Sequence, residues 1–194
     1  MRKKDDGKKE ALFRATQQII IHEGFSNLSM SKIAKAAKVA PATLYTYFEN
    51  TDDLINELFL TIHKEVLDFV AEPFPPSGSY KEWFFSIWKK TYAYNIKHPD
   101  NFAFCEQFKK SPRMNTMKKS EELMQQASLF LSIIERGVAE GVLRDLPCGA
   151  LKVFVFGPIG DLAQMEINGT LDMTPELLDS FAELAWKIFS VETK

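Results

Sequence analysis

The stretch Val39-Ala40-Pro41-Ala42-Thr43-Leu44-Tyr45-Thr46-Tyr47-Phe48 decides how this chain is read. Pro41 opens a helix at its first turn, where a missing N–H costs nothing. Upstream, Ser29 stands where a hydroxyl caps a short helix carrying Ile33, Ala34 and Ala37. The small side chains of Ala34 and Ala37 allow two short helices to cross closely at a wide angle. Ile33, Val39, Leu44 and Phe48 are then spaced to share one core. Pro41, Ala42, Thr43, Tyr45, Thr46 and Tyr47 remain, a set that is small, hydroxylic or aromatic and contains no acid. A helix entering the major groove of DNA needs such a face: acids would meet phosphates, whereas hydroxyls donate to phosphate oxygens or base edges. Two short helices joined by a tight turn make a helix-turn-helix.

Outward from this element almost everything reads as helix. Ala11, Leu12, Ala15 and Ile19 recur at three- and four-residue steps, which predicts an amphipathic helix over 8–22. Gly24 follows where a helix stops with positive φ. Asn50-Thr51-Asp52-Asp53 looks like the cap of a fourth helix, with two carboxylates complementing its dipole. That helix continues through Leu54, Leu58, Ile62 and Leu67. Pro73, Pro75, Pro76, Gly78 and Ser79 form the clearest linker. Aromatic-rich segments then cover 83–96, 102–108 and 123–141. A strongly apolar helix over 151–167 follows, and Pro158 should kink it. The last helix starts at Thr174-Pro175 and aligns Leu177, Phe181, Leu184 and Ile188 on one face. No alternating strand pattern occurs. The fold class is all-α: an N-terminal three-helix module with the helix-turn-helix over 1–54, and a larger helical bundle over 55–194.

Composition narrows the class. The chain has 194 residues, 45% of them hydrophobic, enough for a real core. No run approaches the roughly 18 apolar residues of a membrane span, and the charged start Met1-Arg2-Lys3-Lys4-Asp5-Asp6 is no secretory signal. Cys105 and Cys148 read as reduced thiols, so a cytoplasmic location without membrane attachment is expected. The net charge of -2 hides an asymmetry: residues 1–50 carry 9 basic against 5 acidic side chains, and the remainder 15 against 21. A basic first quarter on an acidic body suits a nucleic-acid module.

Catalytic and metal chemistry find no foothold. His22, His63 and His98 lie in three segments without partners at ligand spacing, so no metal is expected. No phosphate loop, nucleophile elbow or HExxH pattern is present, and neither enzymatic activity nor a cofactor is expected.

Ser29-Met30-Ser31-Lys32-Ile33-Ala34, followed by Val39 to Phe48, resembles the TetR family of bacterial transcriptional regulators. The likeness covers about residues 8–60, and its Thr43-Leu44-Tyr45-Thr46-Tyr47-Phe48 core is specific. It implies that Ser29 and Ser31 touch the DNA backbone and that Pro41, Ala42, Thr43 and Tyr45 face bases or adjacent phosphates. Tyr47 would bind a phosphate, with Lys38, Thr46 and Thr51 completing the contact set. Three positions depart from the pattern. Lys38 stands where the family usually has Gly, Ala40 replaces a hydroxyl cap, and Thr51 replaces a common Lys.

The resemblance also implies a homodimer and a small-molecule effector, with a near-palindromic double-stranded DNA operator as partner and repression as the usual sign. Phe84, Trp88, Tyr92, Phe104, Phe108 and Met124 are the candidate lining of a pocket for an apolar or aromatic ligand. Phe154, Ile159, Leu162, Phe181, Leu184 and Ile188 are the candidate dimer interface, because the last two helices carry more apolar surface than one chain can bury. Two alternatives stay open at this point: an all-α small-molecule-binding or enzymatic bundle, and a regulator controlled by a protein partner.

Overall fold

The computed structural model describes residues 2–116 and 121–191. Its helices are α1 (Arg2–Glu23), α2 (Met30–Ala36), α3 (Pro41–Leu44), α4 (Thr51–Val70), α5 (Tyr80–Lys97), α6 (Pro99–Lys110), α7 (Arg113–Thr116), α8 (Glu121–Ala139), α9 (Cys148–Leu151), α10 (Gly157–Ile167) and α11 (Pro175–Phe189). Among the described residues the sole β feature is an isolated bridge between Leu143 and Ser190. The all-α class holds.

The chain divides into two compact units, one of Met1–His63 with Asp100–Lys119, the other of Lys64–Pro99 with Ser120–Lys194. This differs from a single cut after residue 54, for a physical reason. Leu54, Ile55, Leu58, Phe59 and Ile62 of α4 are buried, and Phe59 stacks on Phe108 of α6 with ring centroids 4.3 Å apart. Gln17 donates to Asn101 at 2.7 Å, Gln107 to the Ile21 carbonyl at 3.2 Å, and Arg113 to Asp52 at 2.8 Å. These bonds tie α6 and α7 into the first unit.

Local chemistry explains the head. Gly24 stops α1 at φ 77°. The Ser29 hydroxyl accepts from the Lys32 N–H at 3.3 Å and caps α2. At the other end of α2, the Val39 N–H reaches the Ala34 carbonyl and the Lys38 N–H the Lys35 carbonyl. This paired pattern closes a helix around one left-handed residue, usually Gly. Here that residue is Lys38, at φ 55°, the one non-glycine with positive φ among the described residues. The left-handed conformation costs a side chain about 1–2 kcal/mol, part of which Gly returns through its larger unfolded-state entropy. Lys38→Gly should therefore stabilise the head by about 0.5–1 kcal/mol, read as a higher urea midpoint. A lower midpoint would contradict this account of the turn.

The second unit is built on α5. Trp83, Phe84, Ile87, Trp88 and Tyr92 pack with Ile134, Leu151, Val155, Ile159, Ala163, Ala182, Ala185 and Phe189. The proline-rich loop does not separate the units; it lies inside the second, with Phe74 packed on this core. Lys90 and Ser86 hydrogen-bond to Glu72 at the start of that loop, and the Lys90 contact chiefly holds the carboxyl below its ordinary value. The helix expected over 151–167 is interrupted by a π-turn at Lys152–Phe156 rather than simply kinked. Pro158 has no N–H for the carbonyl four residues back, and the widened turn accommodates it. The Val155 carbonyl accepts from the Trp88 indole at 3.0 Å.

Candidate nucleic-acid interface

The candidate reading face is assembled by a small core of Leu12, Ile19, Ile33, Ala34, Leu44, Phe48 and Leu54, with Val39, Ala37 and Tyr47 partly buried against it. Phe48 meets Phe13 at 5.7 Å. Ile33, Leu44 and Phe48 thus hold α2 and α3 at a fixed spacing. Helix α3 is one regular turn; tighter bonds from Thr46 to Thr43 and from Tyr47 to Leu44 carry the coil on through Tyr47. Ala40 supplies no side-chain cap, and Pro41 occupies the first turn.

Each predicted contact residue has a definite setting. Ser29, Ser31, Lys38, Pro41, Ala42 and Thr46 are exposed, and Thr43 is half-buried. Tyr45 projects furthest as an aromatic, 58% exposed. The cap bond uses a lone pair of Ser29 and leaves its hydroxyl proton available. Thr46 is different: its hydroxyl already donates to the Thr43 carbonyl at 2.6 Å. A phosphate needs a donor, so in this state Thr46 is a weaker candidate than Thr43. Tyr47 lies with its ring half-buried beside Phe48, at 6.2 Å between centroids. Thr51 is half-buried in the first turn of α4, whose cap is Asn50 accepting from the Asp53 N–H at 2.9 Å.

Three acids near this face have partners within the chain. Asp53 accepts from the Glu49 N–H at 3.1 Å, and Asp52 pairs with Arg113. Glu23 pairs with Lys32. Lys35 is exposed and was missing from the contact set read from the sequence. Its signal was present: Ser31 and Lys35 are four apart on α2, hence on one helix face, and Lys38 continues it.

Residues 12–58 match the family described as bacterial regulatory proteins, tetR family, and residues 59–191 match the tetracyclin repressor-like C-terminal domain. The chain belongs to the TetR family. It is similar along nearly its whole length to a TetR family transcription regulator from Marinobacter aquaeolei VT8, with 28% identity, TM-score 0.86, and 99% of this chain and 100% of that one covered. An uncharacterized HTH-type transcriptional regulator from Haemophilus influenzae is 25% identical over 178 residues, 92% of this chain and 93% of the relative. A fatty acid metabolism regulator protein from Bacillus subtilis is 26% identical over 160 residues, 82% of this chain and 77% of the relative. This protein is accordingly a DNA-binding transcriptional regulator of the helix-turn-helix type.

As a TetR-family chain it carries its remaining candidate residues in the body, and the structure distributes them unevenly. Phe84, Trp88 and Tyr92 are buried in the core of the second unit, but Phe104 and Phe108 are core of the first, and Met124 is exposed. The six are thus divided between the two units: an aromatic stripe marks burial without saying in which core. Tyr92 does border an opening of about 380 Å³ with Ala93, Ile96, Glu166, Met173 and Leu178, and its hydroxyl donates to Glu166. Of the interface candidates, Ile159 is buried within the chain, and Leu162 and Phe181 are partly buried against the same core. Phe154, Leu184 and Ile188 are exposed, together with Val153, Met165 and Val191, which lie outside the candidate set. No helix among the described residues is long and apolar enough to cross a membrane.

Proposed function

We propose that the protein is a cytoplasmic, homodimeric repressor that holds a near-palindromic operator and releases it when a small apolar or aromatic effector binds the second unit. The observation that carries this reading is the candidate face itself: Ser31, Lys35, Lys38, Pro41, Ala42 and Tyr45 exposed over a closed apolar core, with Asp52 paired to Arg113. The exposed stripe of Phe154, Leu184 and Ile188 supports self-association, since solvent-facing aliphatic and aromatic groups on adjacent elements mark an interaction surface. A two-fold dimer presents two α3 segments to successive major-groove turns. The effector acts to the extent that it prefers the state unable to hold both half-sites. The relationship to a fatty acid metabolism regulator is consistent with a greasy effector.

The direct test is fluorescence anisotropy with DNA from upstream of the protein's own coding sequence, in rising salt, against random competitor. A complex that survives competition supports the reading; indifference to sequence would sink it. Within that assay, Tyr47→Phe should weaken operator and random DNA equally, by roughly 1 kcal/mol, the value of one hydrogen bond. Thr43→Ala should instead change which operator positions are preferred. Equal loss of discrimination in both variants would contradict this division of labour.

A further inference from the structure

We infer that the indole N–H of Trp83 recognises a hydrogen-bond acceptor, a carbonyl oxygen, on an aromatic ligand taken up by the second unit. The inference rests on the effector reading and specifies the ligand's chemistry. Trp83 lies on α5 and is 2% exposed. Its Nε1 is the one buried side-chain polar atom among the described residues that has no hydrogen-bond partner. Such donors are rare in folded proteins because burial strips them of water without replacement.

The surroundings satisfy other donors. Trp88, five residues on along α5, gives its indole N–H to the Val155 carbonyl at 3.0 Å. Tyr80, three residues before Trp83, donates to Glu140 at 3.0 Å and accepts from Arg136 at 3.1 Å. The unused donor is thus confined to Trp83. Its walls are aromatic: Phe130 of α8 at 5.4 Å and Phe74 at 6.1 Å between centroids. Phe74 comes from the loop before α5 and is held by the Arg136 guanidinium over its ring at 4.4 Å. Phe74 also meets Tyr80 at 4.7 Å, so displacing it gives up contacts that only another aromatic ring in its place restores. A flat aromatic ligand taking that place would restore them, and a carbonyl on it is the acceptor that the indole N–H lacks.

The test uses the full-length, ¹⁵N-labelled protein, whose three tryptophans give three indole signals, titrated with benzophenone and with diphenylmethane, which differ only by the carbonyl. Benzophenone should bind about tenfold tighter, the value of satisfying one buried donor. It should move the indole signal that Trp83→Phe deletes. In Trp83→Phe the two compounds should bind alike, with persisting signals from Trp88 and Trp186 reporting an intact fold. If that variant does not fold, the wild-type shift and affinity ratio decide. Equal affinities in the wild type, no benzophenone binding up to its solubility, or a preference that survives Trp83→Phe would overturn the inference. Operator release, followed in parallel, separates the two readings. A carbonyl preference without release keeps the Trp83 site and sinks the effector reading, whereas release without that preference does the reverse.

Discussion

Leu184→Glu is expected to yield a folded monomer whose operator affinity falls at least about a hundredfold. Leu184 is 56% exposed and Phe154 60% exposed, so a carboxylate at 184 meets water in the single chain and costs the fold little. In a two-fold dimer the same position recurs on both partners. Two like charges would then be brought together in apolar surroundings, at a cost of several kcal/mol. Lys81 near this face already pairs with Glu183, and Lys187 stands beside position 184 in the single chain as in the dimer, so it leaves the repulsion across the interface in place. The DNA effect follows from linkage. Two reading heads on one dimer bind the second half-site as an intramolecular event, and that advantage is worth about 10²–10⁴ in affinity. Sedimentation at micromolar concentration and anisotropy on the operator read the two halves separately. A persistent dimer, or a monomer with undiminished operator affinity, would refute the proposed interface.

Features set by neighbours in sequence were legible before the fold was known. The Ser29 cap, the Pro41 start and the Gly24 stop each involve residues within five positions of one another, and all are found as read; the left-handed Lys38 stands where the resembled pattern has Gly. The small, hydroxylic and aromatic character of the candidate face followed from the stretch over 41–47, whereas exposed Lys35 lies outside it. Assignments that depend on distant packing fared differently. Phe104 and Phe108 resemble Phe84 and Trp88 in character, yet they fill another core, because α6 returns to the first unit. On the 151–167 segment, Phe154 and Ile159 are five residues apart, so one regular helix face does not carry both. Leu151, Val155, Ile159 and Ala163 recur at four-residue steps and are buried, while Phe154 is exposed. Periodicity marks that inward stripe; it does not announce the π-turn at Lys152–Phe156, of which Pro158 is the local sign.

Gly137→Ala should destabilise the second unit by about 2 kcal/mol, although the position lies inside α8, where alanine is the better helix former. Propensity alone predicts a gain of about 1 kcal/mol. Packing opposes it. A Cβ at 137 would stand 2.6 Å from Leu143 Cδ1, 2.8 Å from Leu143 Cγ and 2.9 Å from Tyr80 Cε1, all well inside van der Waals contact. Neither neighbour has room to yield. Leu143 and Tyr80 are both buried in the core of the unit. The Tyr80 hydroxyl is also held between Glu140 and Arg136. The backbone is equally committed, because the Gly137 carbonyl accepts from both the Val142 and the Leu143 N–H, at 2.9 and 3.0 Å, where the chain turns out of α8. Forcing a methyl into such a site costs typically 1–3 kcal/mol, and the far side of that range prevails because backbone and ring must move together. At fixed protein concentration the melting temperature should fall by about 4–8 °C for a chain of this size. A variant melting at or above the wild type would mean that α8 can draw away from Tyr80. The contact that fixes Tyr80 beside Trp83 would then not be rigid.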